Sequence, residues 1–308
     1  MTELSTIFNI GLLQNTLRTA TPVVLCALGC LMTDHVGMTN IGVEGMMLIG
    51  AFSAVMGSWV CSSWWMGLVF AITIGLLLGL FYGVFVIKFK SDEFIIGVAL
   101  NTFAMGLTTF LLRTLTGQSG TFHAPEGNLS TLPRLSADWL NSIPILGDLL
   151  NNNTLLVYVS WILVLVCWLL IYHTPLGFWL RASGEHPQSL RSAGRSPEKM
   201  QYLASLICGM LSALAGAHLA LGYLSTFSEN MSNSRGYIAF ACVIFGRANP
   251  PKVFLAALLF GFIDALGMRL QSVGISSALT SIFPYIGTVL MMVLVVWRTE
   301  RRKKKLAQ

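Results

Sequence analysis

Asn40 and Glu44 are the polar side chains of MTNIGVEGMMLIGAF (residues 38–52), a Gly-rich turn that leads directly into an apolar run. A carboxylate at the start of a membrane span sits where the helix dipole and the unpaired N–H groups of the first turn favour negative charge. Two readings follow: a helix-start carboxylate with no further task, or a group that lines a solute path or its gate together with Asn40 and the backbone of an unwound turn. Asn101, in IIGVALNTF, is an uncharged polar residue on an otherwise apolar helix. It hydrogen-bonds either a polyhydroxylated solute or a neighbouring helix. Asp264 and Arg269 share one apolar run at a spacing of five, too far round a helix for an ideal pair, so each is expected to find another partner.

Other chemistries are excluded by what the chain lacks. GxxxxGK[ST] does not occur, and no Gly is followed by Lys, so this chain holds no phosphate-binding loop of an ATPase. HExxH and GxSxG are also missing, and no paired His and acidic motif suggests a metalloenzyme. The six cysteines (Cys26, Cys30, Cys61, Cys167, Cys208, Cys242) lie in or beside apolar runs without CxxC spacing and read as packing residues rather than zinc ligands. No cofactor, metal or nucleic acid is expected on this chain.

The elements that must position these residues are membrane spans. With 55% hydrophobic and 10% charged residues and a mean hydropathy of +0.71, the chain carries too much apolar surface for a soluble domain. It reads as an all-α polytopic membrane protein in a single domain, residues 1–308. The start carries Glu3 and no Lys or Arg before Arg18, so it lacks the basic region of a cleaved signal peptide and is expected to be mature sequence. Crossing the hydrocarbon core takes about 20 apolar residues, and runs near that size occupy Met46 to Val60, Trp64 to Ile87, Phe94 to Leu115, Leu155 to Tyr172, Leu203 to Thr226, Val253 to Leu270 and Ile282 to Trp297. Ile7 to Met32 contains Gln14, Asn15, Arg18 and Pro22; it is either one kinked span or an interfacial helix followed by a short span, and is counted as one crossing. Tyr237 to Phe245, bracketed by Arg235 and Arg247, is too short to cross unaided and reads as a broken helix.

Lys and Arg accumulate in cytoplasmic loops. Placing Lys88 and Lys90, the segment from Arg181 to Lys199, Arg247 with Lys252, and the basic tail (298–308) inside collects 14 of the 19 basic residues there. That map requires the Tyr237 segment to count, giving about nine crossings with the N-terminus outside. The loop 116–153 is then extracytoplasmic, and is either a docking or lid element or a solvated connector. The loop 174–200 is cytoplasmic. In it, Pro187 can open and Gly194 can close a short helix carrying Leu190, Arg191 and Ala193, a shape suited to docking on a partner.

A weak internal echo links the two halves. NIGVEG before the Met46 span has a counterpart in NSRGY before the Tyr237 segment, and LLGLFYGVF from Leu77 echoes LFGFIDALG from Leu259, setting Gly79 against Gly261 and Gly83 against Ala265. On the expected topology the halves are inverted, which points to broken helices meeting near the midplane.

NIGVEGMMLIGAF from Asn40, TPLGFWLRASGEHPQSLRSAG from Thr174 and FGRANP from Phe245 together resemble the permease subunits of bacterial ABC importers for nucleosides, within the broader ribose and simple-sugar permease group. The resemblance implies a multi-pass protein of the bacterial cytoplasmic membrane that pairs with a second, related permease as a heterodimer. It also implies an ABC ATPase with two cassettes, on which ATP and Mg are bound, and an extracytoplasmic substrate-binding lipoprotein. Nucleoside transport is the implied function, with ribose or another simple sugar as alternative cargo and an ion-gradient-driven transporter as the rival of another class. Carried onto this chain, Glu185, His186, Pro187, Leu190, Arg191 and Gly194 match the coupling helix that seats in the ATPase; Arg195-Ser196-Pro197 departs from the family's usual apolar continuation. The NIGVEG turn and the Tyr237 segment match the broken helices about the path. A nucleoside needs a flat wall and a few polar groups, so Phe94, Asn101, Phe103 and Phe240 join Asn40, Glu44 and Tyr237 as expected lining residues.

Overall fold

The computed structural model describes residues 10–123, 129–135 and 151–272, with isolated positions 276, 282, 286, 287 and 293 beyond. Its helices are α1 (Ile10–His35), α2 (Val43–Cys61), α3 (Trp64–Gly83), α4 (Glu93–Thr116), α5 (Leu155–His173), α6 (Pro175–Glu185), α7 (Pro187–Ser192), α8 (Pro197–Ala217), α9 (Arg235–Gly246) and α10 (Pro250–Ser272). Helix α3 continues as a π-helical turn through Val84–Lys88, and α8 as one through His218–Leu224. Short strands β1 (Thr121–Phe122) and β4 (Phe227–Ser228) pair antiparallel, as do β2 (Arg134–Leu135) and β3 (Asn153–Thr154).

Seven helices among the described residues are long and apolar enough to cross a membrane: α1, α2, α3 with its extension, α4, α5, α8 with its extension, and α10. The expected count of about nine is not reached there. Helix α9 has only 12 residues, about 18 Å of rise against a hydrocarbon core of about 30 Å, and the Ile282 to Trp297 run falls almost wholly outside the described residues. The α1 region resolves as one long helix rather than an interfacial helix plus a short span. Helices α1, α2 and α8 are buried nearly all round, whereas α3, α4, α5 and α10 leave broad faces open. The first three therefore form the centre of the bundle, and their lack of a polar face is what a fully surrounded helix requires.

Pro22 lies inside α1 and has no N–H to give to the carbonyl four residues back, that of Arg18. His218, from the π-helical turn after α8, supplies the missing partner: its Nε2 lies 3.3 Å from the Arg18 carbonyl oxygen. A carbonyl only accepts, so Nε2 carries the proton, and Nδ1 is left to accept from the Thr154 hydroxyl at 3.4 Å. One imidazole thus repairs the proline break and ties α1 to α5 and α8.

The central helices approach closely through small residues. A Cβ on Gly79 of α3 would collide with the Ser205 carbonyl of α8, and the Ser205 hydroxyl donates to the Gly79 carbonyl at 2.6 Å. The α10–α1 contact repeats this chemistry. A Cβ on Gly261 would meet Ala20 at 2.5 Å, and the Thr19 hydroxyl lies 2.9 Å from the Gly261 carbonyl. Thus α3 packs on α8 and α10 packs on α1 through the same kind of contact.

Candidate functional site

Helix α9 begins against the first turn of α2, with Gly236 buried there. The chain reaches it from β4 through residues 229–234, where Asn230, Asn233 and Ser234 hold left-handed backbone, a conformation that Asn tolerates better than most residues and that prevents an earlier helix start. The first N–H groups of α9 then lack intrahelical partners. Glu44, in the first turn of α2, provides them: Oε1 accepts from the Ser234 N–H at 2.9 Å and Oε2 from the Gly236 N–H at 2.6 Å. The carboxylate, only 8% exposed, therefore lies at the positive ends of two helices at once, which stabilises a charge that would otherwise be costly in a bilayer. Gly236 is required by this approach, because a Cβ there would stand 2.7 Å from the Glu44 backbone. Arg235, between the two capping N–H groups, pairs with Asp264 of α10 at 3.0 Å, which gives Asp264 the partner that Arg269 could not be.

Asn101 joins the same junction from α4. Its Oδ1 accepts from the Gly45 N–H at 2.7 Å, and its Nδ2 donates to the Ile41 carbonyl at 3.1 Å and to the Tyr237 hydroxyl at 2.9 Å. Of the two readings of Asn101, the structure displays the bond to neighbouring helices. Asn40 lies behind the junction and is buried. Its Oδ1 accepts from the Gly42 N–H at 2.9 Å, and its Nδ2 faces Cys208 Sγ at 3.4 Å, so it shapes the turn from within.

Around this junction is a half-open cavity of about 230 Å³, lined by Glu44, Gly45, Leu48, Asn101, Thr102, Met105, Asn230, Ser234 and Tyr237. Of the residues expected on the path, Glu44, Asn101 and Tyr237 come together here. Phe103 turns to a separate apolar groove of about 560 Å³ between α3 and α4. Phe94 is exposed at the start of α4, and Phe240 packs partly against the core. Sequence reasoning missed Thr102, Asn230 and Ser234; the polar run SENMSNSR (228–235), set between two apolar segments, was the signal for the latter two.

At the end that carries Lys88, Arg181 and Arg191, α6 and α7 form an elbow. Thr174 caps α6 through its hydroxyl, and Pro187 opens α7. Helix α7 ends at Ser192 with Ala193 as its cap, and Gly194 closes it from the next position, as the sequence predicts. Gly194 then adopts φ +74, its N–H donating to the Arg191 carbonyl while the Arg195 N–H donates to that of Leu190, the Schellman closure that favours glycine. Leu190 is buried, whereas Glu185, His186, Pro187, Arg191 and Gly194 are exposed. The departing Arg195 guanidinium stacks over Trp179 at 4.0 Å, and Arg191 pairs with Glu198.

A family model described as branched-chain amino acid transport system / permease component matches residues 12–296. A Haloferax volcanii relative, provisionally named glucose ABC transporter permease protein TsgC13, is 32% identical over 95% of this chain and 94% of its own. The guanosine ABC transporter permease protein NupQ of Bacillus subtilis is 30% identical over 94% of this chain and 92% of its own. The nucleoside ABC transporter permease protein NupC of Lactococcus lactis is 28% identical over 92% and 91%. The last two organisms each hold a second similar permease, NupP and NupB. No solved structure matches the chain.

Proposed function

The chain belongs to this permease family, and on that premise we propose that it is a permease subunit of an ATP-binding-cassette importer carrying nucleosides across the bacterial cytoplasmic membrane. The observation that carries this reading is the polar cavity at the junction of α2, α4 and α9. Two helix starts, a shared carboxylate and the Asn101–Tyr237 pair there place hydrogen-bonding groups inside an otherwise apolar bundle, beside the apolar Leu48 and Met105. A nucleoside fits that lining: ribose hydroxyls against Asn101, Thr102 and Tyr237, and the base against the apolar wall. Asn40 supports the turn behind them, and Phe94, Phe103 and Phe240 belong to neighbouring faces of the path.

The chain supplies no hydrolytic chemistry, since it carries no phosphate-binding loop. ATP and Mg are held by a partner ATPase with two cassettes, which engages the α6–α7 elbow through Glu185, His186, Pro187, Arg191 and Gly194, with Leu190 anchoring the elbow from beneath. The half-open cavity is completed by a second permease, a heterodimer supported by the paired relatives, and an extracytoplasmic lipoprotein delivers the solute. The closures α3 on α8 and α10 on α1 support an inverted repeat in which α1–α3 answers α8–α10. With α9 as a half-length member and the Ile282 to Trp297 run as a further span, a permease domain of about nine crossings covers residues 1–308.

The test is uptake of radiolabelled guanosine by proteoliposomes holding the purified complex with its binding protein and internal ATP. Saturable uptake that glucose does not displace is the expected result. ATP-dependent glucose uptake in its place would favour the second reading, a sugar importer, which the similarity to TsgC13 supports. Uptake by this chain alone, abolished by an ionophore, would overturn both.

A further inference from the structure

The cavity lies in a cleft between α4 and residues 229–237, and that cleft is pinned on both sides of the cavity. At the inner side, Asn101 donates to Tyr237. At the outer side, Arg113 in the last turn of α4 faces Glu229 at 3.6 Å, eight residues or about 12 Å along the helix beyond Met105. Glu229 adjoins the cavity-lining Asn230 in sequence. Its Oε1 also accepts from the Gly120 N–H at 3.1 Å, and its own N–H donates to the Gly120 carbonyl at 2.8 Å, so the loop after α4 is fastened to the same point. Helix α4 packs chiefly on α2 within this chain, and the β1–β4 ladder fastens the loop after it beside Glu229, so the ladder is the fixed end of the cleft and the two pins are the contacts that α4 itself makes across it.

We propose that Arg113 and Glu229 form the outer gate of the cavity, positioning α4 against residues 229–234 when shut and parting to admit solute from the side away from the basic loops. The inference rests on the nucleoside-permease reading and names the residues that control entry to that site. The inner pin opens onto the cavity as well, but it is uncharged and Asn101 is held by two further bonds, from the Gly45 N–H and to the Ile41 carbonyl. The outer pin is exposed: the Arg113 side chain is 62% accessible and Glu229 27%. An ion pair this open to water is weak, which suits a contact that must break on every cycle. Because Oε1 also holds Gly120, Glu229→Gln removes the charge while keeping an acceptor for the backbone.

The test is the labelling rate of a cysteine in the cavity, Ser234→Cys, by a membrane-impermeant maleimide in right-side-out vesicles holding the complete complex. Exposed Cys61 is changed to Ser, and the other cysteines are buried. Glu229→Gln and Arg113→Gln are each expected to speed labelling about two- to five-fold, the span an exposed ion pair supports. Arg113→Lys, which keeps the charge, should label within about two-fold of the parent, and the double variant Arg113→Gln with Glu229→Gln should label about as fast as either single, because both changes break one contact. Unchanged rates in both single variants, or single effects that multiply in the double variant, would overturn the gate; if Glu229→Gln does not assemble, Arg113→Gln with Arg113→Lys decides alone. Labelling needs no substrate, so gated labelling without nucleoside uptake would sink the assignment of cargo, and uptake with ungated labelling would sink the gate.

Discussion

Replacing Glu44 with Gln tests whether the two helix starts are held together by one carboxylate. The side chain accepts two backbone N–H groups, at 2.9 and 2.6 Å, and hydrogen bonds to a charged acceptor contribute about 1.5–3 kcal/mol each. Gln keeps one carbonyl oxygen and turns an amide N–H₂ toward the other donor, so about 1.5–3 kcal/mol is lost. Ala leaves both N–H groups orphaned within the bundle, for a loss of about 3–6 kcal/mol on the same values. At about 2 °C per kcal/mol for a chain of this length, the expected drops in melting temperature are about 3–6 °C for Gln and about 6–12 °C for Ala. The buried Cys26, Cys30, Cys167, Cys208 and Cys242 serve as reporters, because a thiol-reactive dye labels them only as the detergent-solubilised protein unfolds. Exposed Cys61 is removed to lower the baseline. Glu44→Asp, one methylene shorter, cannot reach both donors and should melt near the Gln variant. If Gln and Ala both melt within about 1 °C of the parent, the carboxylate does not organise the junction and the reasoning fails.

Asn101→Leu should lower uptake and stability together. In a double-mutant cycle with Tyr237→Phe, the coupling energy read from the same melts should be about 0.5–1.5 kcal/mol; a coupling of zero would mean that the Asn101–Tyr237 bond is not formed in the membrane. His218→Leu leaves the Arg18 carbonyl without its donor and should cost about 1–3 kcal/mol. Adding Pro22→Ala restores a backbone N–H for that carbonyl, so the double variant should melt above the single His218→Leu; equal or lower melting would refute the repair. Arg191→Ala removes an exposed pair worth about 0–1 kcal/mol and should leave the melting temperature unchanged while uncoupling ATP hydrolysis from uptake in the complete complex. Tight coupling in that variant would exclude Arg191 from the ATPase contact.

Windows of about 20 apolar residues located most spans in advance because a helix in lipid satisfies its backbone within itself, and the hydrocarbon admits it by local composition. Helix α7 was likewise legible from Pro187 and Gly194, whose backbone preferences act over a few residues, whereas α6 before it was not anticipated. Gly79 and Gly261, set against each other by the echo, each lie at a close helix approach with a hydroxyl near the glycine carbonyl. What the sequence could not decide is which polar group answers which. Glu44 finds its donors about 190 residues away, at the start of a helix too short to span. Asp264 turns to Arg235 instead of the neighbour on its own helix, and Phe103 follows a face of α4 that turns away from Asn101. Helix formation is settled by bonds four residues apart, whereas the cavity depends on how helices from both halves cross, and only tertiary packing sets those crossings.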